Sequence, residues 1–171
     1  MSPPLISRFR MPIRPPTWWV CSTLLKFGLI AHFVFSRIGT FAPTEGPSMV
    51  PTMSVRDDWY YISKSYRRGR DIKVGDVINF KHPMAEGVEA IKRVLGMPGD
   101  FVCTGERGRK MIQVPEGHCW LLGDNLTESR DSRIYGPIPL ALVKGKIVAR
   151  VWPLSEVGWV KNALQRPEDA I

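Results

Sequence analysis

No aspartate or glutamate occurs before Glu45, although Arg8, Arg10, Arg14, Lys26 and Arg37 all precede it. A basic, acid-free N-terminus followed by an apolar run is topogenic: it decides how the chain meets a membrane. Cysteine is scarce as well. Cys21, Cys103 and Cys119 are odd in number and form no Cys-x-x-Cys pair, which speaks against a disulfide framework and a zinc site. His32, His82 and His118 add no ligand cluster to them, so no metal or other cofactor is expected. No internal repeat or sizeable low-complexity tract is present either.

What the chain does have is material for a core. Of its 171 residues 44% are hydrophobic and 23% charged, which suits one folded domain with an appendage. The net charge of +8 admits nucleic acid or an acidic membrane surface as partner. The excess is partly topogenic, and no basic stripe is interleaved with aromatics, so no nucleic acid is expected.

Residues 1–16, "MSPPLISRFRMPIRPP", form a basic segment whose arginines suit mitochondrial import and whose prolines spoil an amphipathic helix. Residues 17–36 contain the apolar run "WWVCSTLLKFGLIAHFVF", near the lower limit of about 17–25 residues for a membrane anchor. Lys26 near its middle costs about 2.5–3.5 kcal/mol in a bilayer unless it snorkels or meets a partner helix. The alternative is an amphipathic or core helix; Trp18 and Trp19 at the border favour a single transmembrane helix. Positive-inside bias then carries the remainder across the membrane.

Beyond residue 40 the pattern is β. The runs "DWYYIS", "GDVINFK", "EAIKRVLGMPGD", "GHCWLLGDN" and "GKIVARVWP" are short, apolar and punctuated by Gly, Pro and Asp. They predict a mainly β, antiparallel barrel-like or sandwich domain over residues 40–165. Within it "RRGRDIKVGD" reads as a basic loop entering a strand at Val77, and a short terminal helix is expected after Trp152, before a tail at 166–171.

The stretch "EGPSMVPT" places Ser48 between Pro47 and Pro51, with no histidine nearby. A lysine can activate a serine in place of histidine if it is neutral, which requires its usual pKa of about 10.4 to fall by several units. Desolvation supplies such shifts, so the base should lie on an apolar strand face. In "EAIKRVLG" alternation puts Lys92 with Ala90 and Val94, and Arg93 with Ile91 and Leu95. By pattern alone, a snorkelling surface lysine is the default reading of Lys92.

Three ordered boxes decide between these readings. "SMVPT" (Ser48 to Thr52), "KRVLGMPGD" (Lys92 to Asp100) and "GDNLTESRDSR" (Gly123 to Arg133) resemble the signal peptidase I family of membrane-anchored serine proteases, and "GDVINF" matches a strand before the lysine box. Within the family the nearer likeness is to the mitochondrial inner membrane proteases, and to the first of their two paralogous subunits. The resemblance implies a Ser–Lys dyad of Ser48 as nucleophile and Lys92 as base. Ser129 would orient Lys92, Asp131 and Arg133 would form a supporting salt bridge, and Asp124 with Asn125 would shape the same loop. Met49 would line a shallow site for an extended substrate bound by β-augmentation. Some bacterial members place a hydroxyl two residues before the nucleophile as an oxyanion donor; here that position is Gly46.

The expected function is removal of sorting sequences from precursor polypeptides delivered to the mitochondrial intermembrane space. The lipid bilayer and a second, related catalytic subunit in a heterodimer are the expected partners. A subunit 2-type or bacterial-type signal peptidase and a catalytically idle scaffold stay open as alternatives. A self-cleaving repressor would need a helix-turn-helix where the apolar run stands. The sequon Asn125-Leu126-Thr127 would risk a glycan beside Ser129 in the endoplasmic reticulum, which favours a mitochondrial address.

Overall fold

The structure, a computed structural model, describes residues 16–104, 110–162 and 164. The expected basic segment (apart from Pro16) and the tail at 166–171 lie outside them. Helix α1 (Thr17–Arg37) is the predicted apolar run, one residue longer than expected. At 1.5 Å per residue its 21 residues rise about 31 Å, the thickness of a hydrocarbon core. It buries none of its residues against the rest of the chain, and Trp18, Leu24, Leu25, Phe27, Leu29, Ile30 and Phe33 are each at least 60% exposed.

Every strand pair that follows is antiparallel. Strands β1 (Gly39–Thr44), β2 (Asp58–Ser63), β3 (Val77–Lys81) and β4 (Glu89–Gly96) come first. Next are a hairpin of β5 (Phe101–Thr104) and β6 (Lys110–Gln113), then β7 (His118–Leu122), the single turn of α2 (Ser132–Tyr135) and β8 (Ile138–Pro139). The long β9 (Val143–Trp152) and short β10 (Gly158–Trp159) complete the sheet, whose order is β1-β2-β9-β3-β4-β7-β8 with β10 beside β9. The predicted strand start at Val77 and the mainly antiparallel β class both match this half-barrel sheet. After Trp152 the expected helix is a single 3-10 turn, Leu154–Glu156, and the chain returns as β10 with Trp159 opposite Ala149. The open backbone of β9 rewards that return more than a short isolated helix could.

The sheet is covered on both faces, and β3 records it. Ile78 and Phe80 join Val94, Cys119, Leu121, Ile138 and Val143 in one core, whereas Val77 joins Met49, Met53, Tyr60, Ile62 and Ile147 in another. Register then fixes β4: Lys92 lies opposite Ile78 and Arg93 opposite Val77, so the two cations point to different sides. Both are buried, at 5% exposure each, because neither side of the strand is wet. Alternation assigned the faces; it could not say that both were covered.

Phe80 is fully buried at the centre of the first core. Phe80→Ala should cost about 3–5 kcal/mol, read as a lowered guanidinium midpoint of the full chain in detergent micelles.

Candidate active site

Ser48 sits on a 3-10 turn, Pro47–Met49, between β1 and β2. The turn is held from several directions. Gly46 donates its amide to the Val55 carbonyl at 2.8 Å, and Met53 its amide to Met49 at 3.0 Å. Asn125 donates its amide to the Ser48 carbonyl at 3.1 Å and its side-chain amide to the Pro47 carbonyl at 3.2 Å. Arg150 reaches the Thr52 carbonyl at 3.0 Å. The serine therefore has little backbone freedom although its segment holds only one short 3-10 turn.

Lys92 Nζ lies 2.6 Å from Ser48 Oγ. This is its one hydrogen bond among the described residues, and no carboxylate lies within ion-pair distance of it. An ammonium brings three donors, and burying two without acceptors is costly. Burial accordingly lowers the Lys92 pKa from 10.5, opposed only in part by the charges of Asp131 and Asp124. A neutral amine accepts the proton that Ser48 Oγ donates across the same 2.6 Å.

Arg93, the next residue, is treated in the opposite way. Its Nε donates to Asp124 Oδ1 at 2.8 Å and its Nη2 to Oδ2 at 2.7 Å, a two-pronged pair closed by Nη1 on the Gly75 carbonyl at 2.7 Å. The Thr52 hydroxyl also donates to Asp124. Burial alone would raise the Asp124 carboxyl, but the bonds from Arg93 and Thr52 outweigh it and hold the pKa below 3.8. Sequence reasoning gave Asp124 a loop-shaping part and missed Arg93 and Thr52 altogether. The pair joins the nucleophile's loop, β4 and the segment after β7 into one unit. Its signal was present, since Arg93 and Thr52 stand inside the matched boxes, but the partner lies 31 positions away.

The third box forms the far wall. Asp131, fully buried, caps α2 by accepting from the Arg133 amide and pairs with Arg133 Nε at 2.9 Å. Burial would raise its pKa; the Arg133 guanidinium, the Ser129 hydroxyl and the Gly123 amide together lower it below 3.8. Ser129 is brought to the site but makes no hydrogen bond to Lys92: its Oγ is buried, close enough to Asp131 to help lower that carboxyl's pKa but outside good hydrogen-bond geometry with any group among the described residues. Gly123 explains the closeness of the wall. A β-carbon there would meet Ser129 Oγ and Cβ and the Ser48 carbonyl oxygen far inside contact distance. Met49, expected to face substrate, is instead 4% exposed in the second core, because the 3-10 turn points successive side chains in different directions. Gly46 has φ 109 and ψ 154, a conformation closed in practice to residues with a β-carbon, so no side-chain hydroxyl fits at this position.

With this geometry in view, the likeness to known proteins can be placed. A family described as signal peptidase, peptidase S26, matches residues 17–109 and 104–152. The chain belongs to that family. Mitochondrial inner membrane protease subunit 1 of Xenopus tropicalis is 42% identical over 142 residues, 81% of this chain and 84% of that protein. Subunit 1 of Schizosaccharomyces pombe is 35% identical over 158 residues, 91% and 94% of the two chains. Mitochondrial inner membrane protease subunit 2 of Danio rerio is 32% identical over 140 residues, 80% of this chain and 75% of that protein. A crystal structure of signal peptidase I from Enterococcus faecalis V583 aligns at 24% identity with a TM-score of 0.38, over 46% of this chain and 97% of that one. This S26 peptidase is thus a serine-type, signal peptidase I-like enzyme similar to the mitochondrial subunit 1 proteins.

Two outcomes follow from the packing. In the folded peptidase Lys92 titrates below 10.5, so between its lowered value and 10.5 the unfolded chain binds the extra proton and stability rises with pH. Below that window both states are protonated and the native state carries the full desolvation cost. Lys92→Met should therefore unfold at a higher temperature than the parent at neutral pH, and the gap should close as pH approaches 10.5. Gly123→Ala, overpacked against backbone, should cost about 1–3 kcal/mol in chemical unfolding.

Proposed function

We propose that this S26 peptidase is a Ser–Lys endopeptidase of the mitochondrial inner membrane, removing sorting sequences from precursors that reach the intermembrane space. The observation that carries the reading is the 2.6 Å contact between buried Lys92 Nζ and Ser48 Oγ. Ser48 Oγ attacks the scissile carbonyl while Lys92 takes its proton, and the resulting ammonium returns that proton to the leaving amine. Water then attacks the acyl-enzyme, giving one proton to Lys92 and its hydroxyl to the acyl carbon; the bond from Ser48 Oγ to the acyl carbon breaks, and Lys92 returns the proton to Ser48 Oγ. Ser129 is assigned the second acceptor of the transient ammonium, since its Oγ is buried near the Ser48 carbonyl and accepts no hydrogen bond among the described residues. Asp124, Arg93, Asp131 and Arg133 hold the walls and touch no reacting atom.

The oxyanion is assigned to the backbone. Pro47 opens the 3-10 turn without an N–H, so the Ser48 amide is the first orphan donor of that turn. A side-chain donor at Gly46 would require a conformation that only glycine holds.

In this reading α1 crosses the membrane once and the β domain faces the intermembrane space. Exposed Phe41, Trp59 and Trp152, which with Val151 line an apolar cleft of about 270 Å³ on β1, β2 and β9, support a domain that rests against the bilayer. A second, related subunit is assigned as partner, since relatives carry subunit 1 and subunit 2 names and Lys26 places a charge within the apolar helix.

Ser48→Ala and Lys92→Ala should each lower precursor processing in mitochondria at least about a thousandfold, with the proteins still present in the membrane. Lys92→Arg should not restore it, because a guanidinium stays charged. Normal processing by both alanine variants ends the dyad reading. With the purified chain, kcat/KM on an extended precursor peptide should rise with pH along a limb below 10.5 and vanish in Lys92→Ala. Protease protection of the domain that persists after outer-membrane rupture would put it in the matrix and overturn the topology.

A further inference from the structure

Several cations of the domain are paired with acids. Arg93, Arg133, Lys144, Lys146 and Arg150 each have a carboxylate within ion-pair distance. Five others are gathered without one. Arg37, Lys64, Arg67, Arg68 and Arg70, together with Ser65, line a polar cavity of about 300 Å³. No carboxylate lines it, and none of the five makes an ion pair among the described residues.

The fold builds this cluster at one place. Arg37 is the last residue of α1, and the others come from the irregular 3-10 segment Lys64–Gly69 that follows β2 and from the residue after it. Lys64 Nζ donates to the Phe35 carbonyl at 2.6 Å, and the Lys64 amide donates to the Ile38 carbonyl at 2.9 Å, so the segment is tied to the helix end. Left-handed backbone at Arg68 (φ 59) and Gly69 (φ 76) turns the chain there. Like charges held together repel unless an anion joins them. The position says which anion. A helix rising about 31 Å from Thr17 brings Arg37 to the headgroup level of the far leaflet.

We propose that Arg37, Lys64, Arg67, Arg68 and Arg70 bind the phosphate of an anionic lipid headgroup on the membrane face from which the β domain projects. The proposal rests on α1 spanning the bilayer. Arginine forks match phosphate oxygens two at a time, and several cations beside a span attract anionic lipid additively. A headgroup clamped between helix end and domain would limit rotation of the domain on its single tether. It would act on orientation, not on chemistry.

The test is lipid retention by the full chain in detergent micelles, read by native mass spectrometry with equal phosphatidylglycerol and phosphatidylcholine. The parent should retain phosphatidylglycerol at least about tenfold better. Arg67→Gln/Arg68→Gln/Arg70→Gln should fall to parity, while Arg56→Gln/Lys73→Gln/Lys110→Gln, which removes as many exposed charges elsewhere, should keep the preference. Matching unfolding midpoints exclude loss of the fold. Parity in the parent, equal loss in both variants, or displacement of the lipid by equimolar inorganic phosphate or oligonucleotide overturns the proposal. Carbonate extraction from vesicles tests the span separately: release of the parent would remove the membrane reading itself, whereas retention with parity would remove only the headgroup site.

Discussion

Two neighbouring cations on β4 are buried on opposite faces, and only one is given a carboxylate. The rest of the site depends on that asymmetry. Arg93 enters the core with Asp124 arranged for both prongs of its guanidinium, so it stays charged and serves as a structural tie. Lys92 enters with a serine hydroxyl as its one partner among the described residues, so its charge is what burial penalises. Had Asp124 or Asp131 reached Lys92 directly, the amine would be held protonated and could not accept a proton. Each acid has instead been given an arginine of its own, which satisfies it and leaves its charge to act on Lys92 from a distance only.

This division also explains why the segment carrying Ser48 can hold so little regular structure. Thr52 bonds Asp124, Asn125 bonds both the Pro47 and Ser48 carbonyls, and Arg150 bonds Thr52. The loop is thereby bound to the ion pair, to the segment after β7 and to β9. Removing the Arg93–Asp124 pair would be expected to disturb Ser48 before it disturbed the sheet, because a buried pair stripped of one member leaves a charge that local structure must move to hydrate.

Much of this was legible in the residues. The strand class, the start of β3 at Val77, the faces of Lys92 and Arg93 and the apolar helix all follow from period and punctuation. What pattern could not supply was whether both sides of β4 were covered, since that depends on a second core assembled by Met49, Met53, Tyr60 and Ile147 from three distant segments. The same long-range packing took Met49 out of the substrate surface. Gly46 was visible as a missing side chain, but its reason, a backbone at φ 109, is invisible until the turn is built. The part of Arg93 was hidden by distance along the chain, and that of β10 by the weakness of a two-residue strand as a pattern.

Chain length then sets where the site can work. Eleven positions separate the end of α1 from Ser48, and a fully extended chain covers at most about 3.6 Å per residue, so Ser48 lies within about 40 Å of the helix end. Strand β1 occupies most of that tether and is locked to β2 over its whole length, which removes slack as well as reach. With the proposed span, a domain so tethered meets substrates confined to the same bilayer at a higher effective concentration than free ones. Preference for membrane-delivered chains would then need no dedicated recognition pocket. It would follow from a short, stiff connection between an apolar helix and a sheet that buries a lysine whose pKa burial lowers.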